Sequence, residues 1–245
     1  MRAFHIGTSG WHYKHWLGNF YPSGTTPAGF LPFYVQHFDT VEINNSFYKL
    51  PSTETLLDWV KTVPEEFIFA VKASWFITHM KKLKEPQQSM ALFLERIGIL
   101  GEKLGPVLFQ LPPSWHFNEE RFAAFLQALP TTYRYAFEFR DQSWYRDRAY
   151  GLLQQYNCAF CIYDFAYHQS PIVITTDFVY VRLHGPENKY DGTYSDRILE
   201  QWASRCALWL NQNKQVYVYF DNDIHGYAPV DAFRLQQMLC SYQAN

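Results

Sequence analysis

Phe178-Val-Tyr-Val-Arg-Leu-His184 and Tyr135-Ala-Phe-Glu-Phe-Arg140 decide how this chain folds. In the first, Val179, Val181 and Leu183 alternate with Tyr180, Arg182 and His184. In the second, Tyr135, Phe137 and Phe139 alternate with Ala136, Glu138 and Arg140. A period of two is the strand period, with each parity on one face. The same division recurs where Val41 and Ile43 oppose Glu42, Asn44 and Ser46, and where Phe67, Phe69 and Val71 oppose Ile68, Ala70 and Lys72. In a closed barrel one face of each strand packs on helices and the other points inside. The wholly apolar face is the natural helix-facing one, so the charged residues point inward.

Working outward, eight strand-like runs cover residues 4–9, 40–47, 67–73, 106–112, 134–140, 158–164, 178–184 and 216–222. Helix-like stretches separate them at 26–37, 53–63, 86–104, 118–129, 147–156, 195–213 and 229–242. Ser52 or Thr53, Asn118 and Ser195 stand before acidic first turns, as helix N-caps do. Strand alternating with helix argues for a parallel sheet covered by helices. Eight units suit a closed (β/α)8 TIM-type barrel, read as an α/β fold with one domain over 1–245. An open doubly wound sheet is the competitor, but neither G-x-G-x-x-G nor G-x-x-x-x-G-K-[ST] occurs.

Composition agrees with a packed globule. Hydrophobic residues make up 48% of the 245 and aromatic ones 19%, against 18% charged, which excludes a disordered chain. The net charge of −2 gives no global attraction to nucleic acid. No apolar run approaches the ~20 residues that span a bilayer, so no membrane partner is expected. Met1-Arg2-Ala3-Phe4-His5 does not resemble a secretory signal. Cys158-Ala-Phe-Cys161 has C-x-x-C spacing, but inside a strand positions three apart lie on opposite faces, and no second pair completes a zinc site. Buried inert thiols in a reducing cytoplasm are expected.

The inferred inward lining is Ser9, Glu42, Asn44, Lys72, Gln110, Glu138, Arg140, Arg182 and His184, mostly near strand C-termini. Asn222 joins if the last strand follows Val218, Phe220, Asn222, where alternation is ambiguous. Barrel enzymes place their chemistry at that end. Polar ends on so many strands are hard to explain by stability, because each desolvated charge costs several kcal/mol unless well paired.

These residues also carry a family resemblance. Gly7-Thr-Ser-Gly-Trp11, Trp16-x-Gly18-x-Phe20-Tyr21-Pro22, Val41-Glu-Ile-Asn-Asn-Ser-Phe-Tyr48 and Leu104-Gly-Pro with Gln110-Leu-Pro-Pro113 resemble the YecE-like family, domain of unknown function number seventy-two. So do Ala136-Phe-Glu-Phe-Arg140 with Ser143-Trp144, Tyr180-Val-Arg-Leu-His-Gly185 with Tyr190, and Val216-Tyr-Val-Tyr-Phe-Asp-Asn-Asp223. The resemblance covers essentially the whole chain and implies a TIM-type barrel. It supplies no reaction, since barrels host many chemistries.

The side chains themselves suggest one. Lys72, Arg140 and Arg182 stand against Glu42 and Glu138, a neutral-to-positive pocket. Either the two Arg forks hold an anionic ligand, or they simply neutralise the two Glu. Glu42, Glu138 and His184 are the catalytic candidates for proton transfer, with His184 favoured because neighbouring cations depress a Glu. Ser9, Asn44, Lys72, Gln110, Arg140, Arg182 and Asn222 are assigned to substrate binding. Trp11, Trp144 and Tyr190 join them from an aromatic rim that also holds Tyr13, Trp16, Phe47, Tyr48, Trp75 and Trp115. No metal or cofactor is expected: only His184 and His5 fall on inward faces, and nearby Arg and Lys oppose a magnesium site at Glu42, Glu138 or Asp164. The expected protein is a metal-independent enzyme acting on a small anionic, phosphorylated or sugar-like, compound. The alternative is a non-catalytic binder of nucleotide or single-stranded nucleic acid, using the cations and the rim.

Overall fold

The computed structural model describes residues 3–165 and 168–243, so Met1 and Arg2 of the N-terminal reading lie outside it. Among the described residues nine strands form one sheet in the order β1-β9-β8-β6-β5-β4-β3-β2, with β7 off this path and paired to β6. They are β1 (Phe4–Thr8), β2 (Thr40–Ile43), β3 (Ile68–Lys72), β4 (Leu104–Gln110), β5 (Tyr135–Glu138), β6 (Ala159–Phe165), β7 (His168–Gln169), β8 (Phe178–Leu183) and β9 (Gln215–Phe220). All pairings are parallel except β6–β7. The free edges, β1 and β2, meet through a parallel bridge between Ser9 and Glu42. The result is a nearly closed eight-stranded TIM-type barrel, as the alternation predicts.

Among the described residues seven α-helices cover it: α1 (Phe30–Tyr34), α2 (Thr53–Thr62), α3 (Pro86–Ile97), α4 (Glu119–Gln127), α5 (Asp147–Gln155), α6 (Asp196–Asn211) and α7 (Tyr227–Gln243). Ser52 and Asn118 accept from the Thr55 and Arg121 amides, capping α2 and α4. Ser195 caps α6 without a side-chain bond. Two expected helices are shorter. Residues 26–37 divide into a 3-10 turn, Pro27–Gly29, and the five residues of α1. The 86–104 stretch turns 3-10 at Gly98, and Gly101 adopts φ 55°. The β6–β8 connection carries β7 instead of a helix among the described residues. The run 40–47 ends as strand at Ile43, because Ser46 Oγ donates to the carbonyls of Ile43 and Lys72 and bends Asn45–Phe47 into a 3-10 turn.

Strand parity sorts the core into two bodies. Phe4, Val41, Phe69, Phe109, Phe137, Phe160, Val181 and Val218 face the helices in one continuous cluster. Ala70, Leu108, Ala136, Ala159, Cys161, Phe178, Tyr180, Tyr217 and Tyr219 fill the lower barrel interior in a second. Cys158 belongs to the outer cluster and Cys161 to the inner, as strand parity requires. Burial raises both thiols, Cys158 to about 12.

The seam between β1 and β2 tolerates no side chain at Gly7, where a Cβ would stand 2.3 Å from the Thr40 carbonyl oxygen. Gly7→Ala is expected to lower unfolding free energy by about 1–3 kcal/mol through overpacking. Urea denaturation measures it; wild-type stability in that variant would mean the seam is looser than described.

Candidate functional site

Above the apolar interior, the next inward residue of each strand is polar. From β8, Arg182 is fully buried and enters the centre of the barrel. Its five N–H groups are all engaged. Nε donates to Glu42 Oε1 at 3.1 Å, and Nη2 to the same oxygen and to Asp221 Oδ2, each at 2.9 Å. Nη1 donates to Glu138 Oε2 and His184 Nε2, both at 2.9 Å. Around this hub, Glu42 also accepts from Ser9 Oγ and Tyr180 Oη at 2.6 Å each. Glu138 accepts from Arg140 Nε. Of the expected inward lining, Ser9, Glu42, Glu138, Arg140, Arg182 and His184 form one hydrogen-bonded network, whereas Lys72 lies over the Phe47 ring outside it, Gln110 walls a cleft and Asn44 a separate hollow.

His184 has a defined tautomer. A guanidinium can only donate, so Nε2 is the acceptor for both Arg182 and Arg140 Nη2 (2.9 Å), and Nδ1–H points to the Asp164 carbonyl at 3.3 Å. Burial, then Arg182 and Arg140, hold this imidazole well below its usual range, so it is neutral. Both nitrogens are occupied, and the proton-shuttle role expected for His184 gives way to a role as acceptor between two Arg. Burial alone would raise Glu138, but Arg140 and Arg182 hold it far below the ordinary carboxylate range. It is a fixed anion rather than a proton donor.

Two inward groups behave differently. Asp221 was missed by the sequence reading, which brought Asn222 inside only if the last strand followed Val218, Phe220, Asn222. Tyr217 and Tyr219 belong to the barrel interior while Val216, Val218 and Phe220 face the helices, so Asp221 takes the inward parity. Asn222 turns away and donates to the Gly192 carbonyl and Asp231 Oδ2. Burial pushes Asp221 up to about 7 against the pull of Arg182. Lys72 is pushed down to about 8, by burial first and then by Arg182. With Asp221 counted, three carboxylates face three cations, so the chamber is balanced rather than positive.

The open part of the site is a cleft of about 400 Å³ at the same end of the barrel. Gln110, Pro113, Arg140, Tyr163, Phe165, His168, Lys189 and Tyr190 line it. Arg140 is clasped between the Tyr163 and Phe165 rings, 4.5 Å from each centroid, and uses two of its five donors within the network. Its other N–H groups have no partner among the described residues. Tyr190, at φ 65°, packs on His184 with ring centroids 5.9 Å apart. Tyr163, Phe165 and Lys189 escaped the sequence reading. Parity with Cys161 marks the first two, whereas Lys189 sits in a loop with no periodic signal.

Most of the expected aromatic rim packs inside the protein. Trp144 is fully buried, stacked on Phe139 and donating Nε1–H to the Trp115 carbonyl at 2.7 Å. Trp11, 5% exposed, meets Trp59 edge-on beside a separate hollow that includes Asn44. Neither Trp reaches the cleft. Among the described residues no group of three or more His, Cys, Asp or Glu is arranged to hold a metal, and no helix is long and apolar enough to cross a membrane.

Fold and site together define a TIM-type barrel protein with a buried ionic centre at the C-terminal ends of its strands. The chain belongs to the DUF72 family, whose model, described as a protein of unknown function, matches residues 5–245. The UPF0759 protein YunF of Bacillus subtilis is 27% identical, the match covering 96% of this chain and 94% of that one. The UPF0759 protein YecE of Escherichia coli K12 is 29% identical over 58% of this chain and half of its own length. A crystal structure of a DUF72 family protein from Thermotoga maritima superposes with a TM-score of 0.86 at 30% identity, covering 97% of this chain and 99% of that one.

Two outcomes test the network. Arg182→Met leaves Glu42 and Glu138 buried without their cation, and is expected to cost about 3–5 kcal/mol in urea denaturation. Asp221 has a raised folded pKa, so between roughly pH 4 and 7 the folded state holds a proton that the unfolded state has released. Stability from this group is present at low pH and lost as pH rises through that window. Asp221→Asn is expected to remove a slope approaching about 1.4 kcal/mol per pH unit there. Parallel wild-type and variant stability profiles would show that Asp221 ionises normally.

Proposed function

We propose that this barrel is an enzyme that binds a small anionic, phosphorylated or sugar-like, compound in the strand-end cleft and works on it without a metal ion. The observation that carries this reading is the lining of the cleft: two cations, Arg140 and Lys189, with no carboxylate among the residues that wall it. Arg140 presents uncommitted donors on a fork pinned by Glu138, His184 and two rings, the preorganisation that makes anion binding specific. Gln110 and Tyr190 add polar groups for orientation, and Tyr163 and Phe165 add flat apolar walls.

Arg182 is not the anion ligand in this reading, because its N–H groups are consumed within the protein. It helps to keep Glu138 ionised and holds both Glu42 and Glu138 in place. Asp221, close to neutrality and with its Oδ1 unpartnered among the described residues, is the acid–base group. The same hub supports working without a metal: the point where Glu42, Glu138 and Asp221 converge is filled by Arg182. Nucleic acid is disfavoured as the ligand, because Trp11 and Trp144 are packed inside and offer no stacking face.

Isothermal titration with inorganic phosphate tests the site. Lys189 is exposed, so Lys189→Ala should leave the fold intact while weakening phosphate binding about 10-fold or more, the loss of one charge-assisted contact. Phosphate affinity unchanged in that variant and in Arg140→Gln would remove the anion site from this cleft.

A further inference from the structure

We propose that Lys72 is the nucleophile of this site, forming an imine with the carbonyl carbon of an anionic aldehyde or ketone. This deepens the enzymatic reading above and rests on it.

The inference begins from an imbalance in how the chamber's charges are partnered. Glu42 is taken by Ser9, Tyr180 and Arg182, and Glu138 by Arg140 and Arg182. Asp221 Oδ2 is taken by Arg182. Lys72 is at the inward end of β3, only 7% exposed, yet its amine makes no hydrogen bond or ion pair among the described residues. It lies over the face of Phe47 instead, with Nζ 4.4 Å from the ring centroid. Phe47 is itself held edge-on against His79, 5.2 Å away.

A structural lysine in a chamber with three carboxylates would be expected to take one of them. This one is kept apart, beside a permanent cation and out of water. Those are the two conditions that make a lysine amine nucleophilic: desolvation and a neighbouring positive charge. Burial and then Arg182 push it down, His79, itself held down to about 4, is a neutral imidazole that supplies no anion, and Glu42, Glu138 and Asp221 pull up from beyond bonding distance. The amine settles at about 8, within reach of the neutral form at working pH.

The step balances without a redox partner. Neutral Nζ attacks the carbonyl carbon, forming the C–N bond, and a proton moves from nitrogen to the carbonyl oxygen. The C–O bond then breaks, the oxygen leaves as water with a second proton donated by Asp221, and a protonated imine remains. That cation draws electrons from the adjacent C–C or C–H bond, so the reaction class is cleavage, dehydration or proton exchange next to a carbonyl. The anionic group of the substrate would sit on Arg140 and Lys189.

Reductive trapping on the wild-type protein tests this with glyoxylate as the anionic probe, acetaldehyde as the neutral one, and cyanoborohydride to fix any imine as a secondary amine. Peptide mapping should place the glyoxylate adduct on Lys72 at least ~10-fold faster than on exposed Lys14 or Lys61, since an ordinary lysine near 10.4 is almost wholly charged at neutral pH. The Lys72 rate should climb as pH rises through about 8. Labelling of Lys72 no faster than the exposed lysines, in protein that still binds phosphate, overturns the nucleophile and leaves the anion-binding reading standing. Fast labelling of Lys72 by glyoxylate and acetaldehyde alike supports the nucleophile and counts instead against the anion site.

Discussion

The barrel is organised around one buried guanidinium. Removing a cation and three carboxylates from water costs several kcal/mol per ion, and only close, multiply hydrogen-bonded contact offsets it. Arg182 achieves that contact by drawing partners from different strands: Glu42 from β2, Glu138 from β5, His184 from the end of β8 itself, and Asp221 just past β9. A slip of one residue in any of these strands would turn its partner to the helix side and strand a charge. Register, closure and ionic centre are thus one constraint. The bridge that closes the seam, Ser9 to Glu42, joins the same carboxylate that holds Arg182.

Below this centre the interior is sealed by small residues and rings. Ala70, Ala136 and Ala159 leave room that Tyr180 and Tyr219 fill, and both hydroxyls are spoken for, by Glu42 and Thr40. Water is excluded from beneath, so every charge above feels a low dielectric. The outcome then depends on partners alone. Glu138, between two Arg, stays ionised; His184, accepting from two Arg, stays neutral; Lys72 and Asp221, with fewer contacts, fall near neutrality. One physical cause separates groups that hold the structure from groups free to exchange protons.

Where parity was clear, sequence sufficed. In Val179–Leu183 and in Tyr135–Phe139 apolar and polar residues alternate cleanly, and Glu138, Arg140, Arg182 and His184 are where that alternation puts them. The run Val216-Tyr-Val-Tyr-Phe220 is apolar or aromatic on both faces, so nothing in it says which parity is inside, and Asp221 was exchanged for Asn222. The rim failed for another reason. Trp16, Trp115 and Trp144 follow strands in sequence, but the loops bearing them fold back and bury them. Burial of a loop side chain is a tertiary outcome with no periodic signature.

That Arg182 rather than a metal gathers the three carboxylates has a chemical consequence. A divalent ion would polarise a bound water or carbonyl directly, while a guanidinium with every N–H committed polarises nothing outside the protein. It also cannot lose its charge at any working pH, because Glu42, Glu138 and Asp221 raise it further despite burial. The hub therefore acts on its surroundings only through its neighbours. By neutralising Glu42 and Glu138 it leaves Lys72 without a strong anion to bind, and by donating to His184 it keeps the imidazole from competing for protons. The two groups that the hub leaves least tied, Lys72 and Asp221, are the ones that burial moves towards neutral pH, to about 8 and about 7.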